Sequence, residues 1–165
     1  MKFSRKGLIF FITALLGFAI VIYNYSQQAE QRLGNSSDKI ERVTPLDADG
    51  KSAKAVFEKT LKASNEKDIT TYVSCLIPKA RKNTAAQMSE FFKKQNITNS
   101  LESYRVLKKQ NGHLLAEAKV KSINNTKNQK EYRDNIATID VSYAKQNGEW
   151  LIDLTSTVDT QLLKK

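Results

Sequence analysis

Cysteine, histidine and tryptophan each occur once in this chain of 165 residues, and proline twice. A single cysteine, Cys75, permits no intramolecular disulfide, so an exported domain would have to be held by its core alone. It sits in the apolar run Tyr72–Ile77 and reads as a small buried hydrophobe. One histidine and one cysteine cannot assemble a Cys/His zinc set. The chain also lacks a glycine-rich phosphate loop, an aspartate-rich calcium loop and a Gly-x-Ser-x-Gly nucleophile elbow. No metal or cofactor is expected, and no catalytic residue is assigned.

Only one long apolar run is present, Gly7–Tyr23, and it carries no charge. As a helix rising 1.5 Å per residue it would cover roughly 25 Å, the short end of what a bilayer requires. Lys2, Arg5 and Lys6 precede it, and Tyr23 and Tyr25 follow as interfacial aromatics. The run exceeds the usual apolar core of a secretory signal, and no small-x-small cleavage site follows it. An uncleaved signal anchor is therefore expected, ahead of a cleaved signal. The positive tip would stay cytoplasmic and everything after about residue 25 would lie outside. The expected layout is a basic tip and span over 1–25, a polar tether over 26–50 and an extracytoplasmic domain over 51–165.

The formal net charge is +10. From Lys51 onward there are 21 lysines and arginines against 12 acids, so the outer domain is itself basic. Such a surface meets anionic lipid, wall polymer, acidic protein or nucleic acid. The clusters Lys79-Arg81-Lys82, Lys93-Lys94 and Lys108-Lys109 could touch phosphates. Single-strand binding would also need exposed aromatics among them, and the aromatics fall at inward positions, so nucleic acid is not an expected partner.

Along the outer part, Ser52 is the expected N-cap of a first helix with Ala53, Val56, Phe57, Thr60 and Leu61 at helical spacing. Asp68 would cap a short second helix carrying Ile69, Tyr72, Val73 and Leu76, which Pro78 would end. Thr84-Ala85-Ala86-Gln87 reads as a capping box opening a third helix to about Gln95. The period then changes to two. Ser100–Lys108, Leu114–Val120, Ala137–Tyr143 and Trp150–Leu154 alternate as strands. Asn111-Gly112 and Asn147-Gly148 are hairpin turns, and Asn124–Lys130 is a polar loop. The tail Asp159–Lys165 would add a helical turn or fray. Helices first and strands after argue an α+β domain, three helices packed on a curved four-stranded antiparallel sheet behind the transmembrane helix. Its core would draw on Val56, Phe57, Leu61, Tyr72, Phe92, Tyr104, Val120, Ile139, Tyr143 and Trp150.

This order resembles the nuclear transport factor 2-like superfamily, a cone-shaped α+β fold. The resembling parts are the opening helix Ala53–Ser64, the Asn65-Glu66-Lys67-Asp68 step into a short helix, and the closing hairpin with Asn147-Gly148-Glu149-Trp150. A span followed by such a domain is similar in layout to the bitopic scaffold subunits of type IV secretion and conjugation machines of bacteria. Enzymes of the superfamily place an acid, base or histidine inside the cone. Here His113 belongs to a hairpin tip, and strand alternation turns Asp140 and Asp153 outward, although a one-residue slip would reverse both. The expectation is a non-catalytic, membrane-anchored scaffold of a cell-envelope assembly. Its partners would be other membrane or envelope proteins, a second copy included, with residues 7–23 in the membrane. The alternative is a binding module holding a lipid or small apolar ligand in the cone. That pocket would be lined by Phe57, Tyr72, Phe92, Tyr104, Tyr143 and Trp150, with the hydroxyls of Tyr104 and Tyr143 at its rim.

Overall fold

A computed structural model describes residues 45–126 and 132–164. The apolar run Gly7–Tyr23, the basic tip and most of the tether lie outside the described residues. Among the described residues no helix is long and apolar enough to cross a membrane.

Helix α1 spans Ala48–Asn65, α2 Ile69–Ser74 and α3 Pro78–Lys94. Strands β1 (Ile97–Gln110), β2 (His113–Asn124), β3 (Asn135–Gln146) and β4 (Glu149–Leu162) follow. They form one antiparallel sheet in the order β1-β2-β3-β4. The α+β class, three helices and four-stranded antiparallel sheet stand as the sequence implies.

Several boundaries differ, each for a local reason. Helix α1 begins five residues before the expected start, because Asp47 and not Ser52 is its N-cap. The Asp47 carboxylate accepts from the Gly50 amide at 2.8 Å, while Ser52 donates back to the Ala48 carbonyl inside the first turn. Helix α2 ends at Ser74, ahead of Pro78, so Leu76 lies beyond it and bridges to Ile152, while Pro78 opens α3, where its missing N–H costs nothing. Thr84 therefore stands in mid-helix, buried, instead of capping. The tail is neither helix nor frayed end, since β4 continues to Leu162 along β3.

The core lies between the helices and one face of the sheet. Ala116, Ala118 and Ala137 floor its centre, and their small size lets the helical layer approach. Phe57, Leu61, Tyr72, Met88 and Phe92 descend onto that floor from the three helices. Burying a ring such as Phe57 contributes about 1.5–3 kcal/mol before entropy is counted.

All four register shifts place their extra residue on an outer strand, at Glu102 and Leu107 in β1 and at Asp153 and Val158 in β4. Bulges bend the strand that carries them and raise its twist, so the sheet curls at both edges around the helices. The bulge at Asp153 also breaks the alternation of β4. Trp150 and Ile152 face the core, but Leu154 pairs with Ser142 on the opposite face, and Thr155 takes the next buried position. Both hairpins turn on Asn-Gly with positive φ at each residue, 49° and 73° for Asn111-Gly112 and 51° and 86° for Asn147-Gly148. That is the geometry a tight two-residue hairpin demands.

Candidate functional site

Three groups of residues outside the plain apolar core bear on function. The first lies at the hairpin end of the sheet. There the first turn of α1 reaches both hairpins at once. Asp49 Oδ1 accepts from Lys145 Nζ on β3 at 3.0 Å and from Trp150 Nε1 on β4 at 3.0 Å, and Oδ2 accepts from Lys109 Nζ on β1 at 3.1 Å. Lys109 also donates to the Asp47 carboxylate. The Lys145 ammonium lies 5.3 Å from the centre of the Trp150 ring, so the indole meets a cation at its face and an anion at its N–H. The indole N–H, then Lys145 and Lys109, hold the Asp49 carboxyl well below its usual range. Lys109 and the Gly50 amide do the same, more weakly, for Asp47. Glycine at position 50 lets the turn sit this close, since a Cβ there would meet Val106 Cγ2 at 3.2 Å and Asp47 Oδ1 at 3.3 Å.

The second group is inside the cone. Phe57 from α1 lies 6.3 Å from the ring of Tyr104 on β1, and the Tyr104 and Tyr143 hydroxyls share a hydrogen bond at 3.2 Å. Burial pushes the Tyr104 phenol up to about 12, partly offset by this hydrogen bond, and pushes that of Tyr143 higher still. The Tyr143 side chain is fully enclosed, so its hydroxyl is in the interior and not at a rim. Of the six residues expected to line a pocket, the structure brings these three together. Trp150 is also buried but belongs to the hairpin end. Tyr72 is buried on α2, where burial raises its phenol. Phe92 is buried on α3 beside Phe91, whose ring meets that of Tyr132 edge-on at 6.4 Å.

The third group is the uncovered face of the sheet. A charged row, Arg105, Glu117 and Asp140, runs across three strands. Arg105 makes a two-point contact with Glu117 at 2.9 and 3.1 Å. Partial burial, then the Glu117 charge, raises the Asp140 carboxyl, with Arg105 opposing. Leu115, Leu151 and Leu154 share this face and are all half-buried. Asp140 thus points away from the core as expected. Asp153, at its bulge, lies beside Lys79 of α3 at 3.3 Å. His113 is exposed at the hairpin tip and Cys75 is buried. No Asp, Glu or His among the described residues is buried.

Sequence reasoning missed Asp47 and Asp49 because they fell in the segment assigned to the tether; it placed Lys109 in a cluster that could touch phosphates and gave Lys145 no role. The available signal was Pro45-Leu46-Asp47-Ala48-Asp49-Gly50 itself. A proline, two acids and then apolar positions at helical spacing mark a helix start.

A family model matches residues 55–163 of this chain, that of the anti-sigma-I factor RsgI9, C-terminal domain, and the chain belongs to that family. No curated protein matches. Among solved structures, a protein with a cystatin-like fold from Caulobacter vibrioides is 12% identical with a TM-score of 0.59, covering 68% of this chain and 92% of that one. Another cystatin-like protein, from Nostoc punctiforme, is 10% identical with a TM-score of 0.56, over 71% of this chain and 93% of that one. A nuclear transport factor 2-like protein from Pseudomonas putida is 13% identical with a TM-score of 0.52, over 66% and 84%. These likenesses show a nuclear transport factor 2-like fold, and at such identities they speak to the fold alone.

Proposed function

We propose that the chain is a membrane-anchored extracytoplasmic interaction module without catalytic activity, held by Gly7–Tyr23 and acting through the surface of its cone. The observation that carries this reading is the uncovered sheet face. Four strands of 12 to 14 residues are roofed on one side by three helices. On the other side they expose half-buried leucines around a charged row, the mixture found where a protein surface meets another. The interior supports the same reading, because no Asp, Glu or His among the described residues is buried and burial keeps the phenols of Tyr72, Tyr104 and Tyr143 protonated. The Phe57, Tyr104 and Tyr143 side chains are engaged with one another, which favours a surface partner over a ligand in the cone.

The partners belong to an envelope assembly. The family name attaches this type of domain to an anti-sigma-I factor, so a signalling assembly is the first place to look for them. The layout of span and cone resembles secretion scaffolds, so a conjugation or type IV secretion machine is the second. Crosslinking of the full chain in its native membrane, followed by mass spectrometry, tests the proposal. A reproducible set of membrane or envelope proteins is the expected result, and their identity separates signalling from secretion. A chain recovered alone, with neither partner nor second copy, would overturn it.

A further inference from the structure

At the hairpin end the Asp49 carboxylate does more than satisfy the N–H of the buried Trp150. Three donors from three strands, Lys109 Nζ, Lys145 Nζ and Trp150 Nε1, converge on a single carboxylate, and Lys109 serves a second one two residues earlier. Such a donor set is what recognises acidic groups between proteins. The strands supply it, and the first turn of α1 fills it. The two lysine side chains and Asp49 remain more than one-third or close to one-third exposed, 40%, 40% and 33%, so the contact is reachable from solvent. The turn is also held by the Asp47 cap on Gly50, the Lys51 amide on the Asp47 carbonyl at 2.9 Å, the Ser52 hydroxyl on the Ala48 carbonyl and the burial of Gly50 against Val106, so a competitor must offset these as well.

We propose that Lys109, Lys145 and Trp150 form a binding notch for an acidic protein segment with two carboxylates two residues apart, and that Asp47 and Asp49 occupy it as an intramolecular stand-in for that partner. The proposal deepens the interaction-module reading and rests on it. A partner segment displaces the turn, frees the start of α1 and takes the same three donors. The chain's own turn competes at an effective concentration on the order of millimolar, so the notch answers only to a partner held close by a shared membrane or a second contact.

Trp150 is the chain's one tryptophan and reports the notch directly by fluorescence. The test uses the full chain in lipid vesicles, wild type and the double variant D47N/D49A, in which the side-chain amide introduced at position 47 still caps the helix. The probe is a blocked peptide Leu-Asp-Ala-Asp-Gly, with Leu-Asn-Ala-Asn-Gly as its control. The acidic peptide is expected to change Trp150 emission saturably in the double variant, roughly tenfold more weakly in wild type. The response should fall with added salt and vanish when K109M and K145M are added. No saturable change in a folded double variant up to about 10 mM peptide, or an equal response to the control peptide, would overturn the proposal. Should the double variant not fold, hydrogen exchange on the wild type decides. The acidic peptide must speed exchange of the Gly50 and Lys51 amides and leave β2 and β3 unchanged, and no acceleration rejects the notch. Stable mixed dimers of wild type and variant without a peptide response would replace the partner by a second copy and overturn the reading. Partners in the crosslinking experiment without a peptide response would remove the notch and leave the interaction module standing.

Discussion

Helix α1 lies along the sheet and is tied down at both ends, but by different chemistry. At the hairpin end, carboxylates meet ammonium groups and an indole N–H. At the other end the ties are amides and hydroxyls. The Asn65 side chain pairs with the backbone of Asn99 on β1, accepting from its amide at 2.7 Å and donating to its carbonyl at 2.9 Å. Ser122 donates to the Asn99 side chain at 2.7 Å, and the buried Asn124 bonds the Tyr132 carbonyl and the Thr126 amide, both at 2.8 Å. Neutral hydrogen bonds of this kind are indifferent to ionic strength, and the buried one, from Asn124 to the Tyr132 carbonyl, costs the full desolvation of a group when its partner is lost. Exposed ion pairs are the reverse, since salt screens them and either partner finds water when they part. The charged end should therefore respond to ionic strength and the neutral end should not.

The largest effect should come from the element both ends share. Phe57→Ala removes a fully buried ring between them and should cost about 3–5 kcal/mol, with both ends melting in one transition in chemical denaturation. Two separate transitions would show that the ends are independent and break the comparison. Asn124→Ala should cost about 1–3 kcal/mol, because the buried Tyr132 carbonyl loses its partner. That loss should be the same in low and high salt.

Asp49→Asn should lower the melting temperature more modestly, by an amount that shrinks as salt is raised toward 1 M, where the Debye length falls to about 3 Å. Its pH dependence has a definite sign. The folded-state carboxyl is depressed below its ordinary value of 3.8, so its contribution is complete above that value and is lost as pH falls through the depressed one. The gap between Asp49→Asn and wild type should therefore hold constant from neutral pH to about 5 and close only in stronger acid. A gap that closes between pH 7 and 5 would place the effect elsewhere. The smallest effect should be that of His113→Ala at the exposed hairpin tip, within about 0.5 kcal/mol. A larger loss there would mean that the hairpin end depends on more than its carboxylates.

The neutral end and the charged end were unequally legible in the sequence. Element type and order followed from the change of period after Gln95 and from two Asn-Gly turns, since both signals are local. The core positions Phe57, Tyr72, Val120, Ile139, Tyr143 and Trp150 followed from the same periods. Leu154 was misplaced because a bulge is one extra residue that alternation does not announce. Thr84 was misread because a capping box and a mid-helix Thr-x-x-Gln look alike until Pro78 is recognised as a first helical residue. The charged cluster was hidden for a different reason. Asp49 and Trp150 stand 101 residues apart, and nothing local in either stretch points to the other.

That separation also sets an order on assembly. The earliest described turn of the domain finds two of its three partners, Lys145 and Trp150, on the last hairpin, and β4 is further fastened by the Cys75–Ile77 segment, whose carbonyl at 75 and amide at 77 bond Ile152 at 2.9 and 3.0 Å. A chain made from its N-terminus onward can form α1 and β1–β2 early, yet its opening turn waits for the final strand. Closure of the Asp49–Trp150 contact is thus a record that the whole domain is present, and the single indole reports it at the moment it happens.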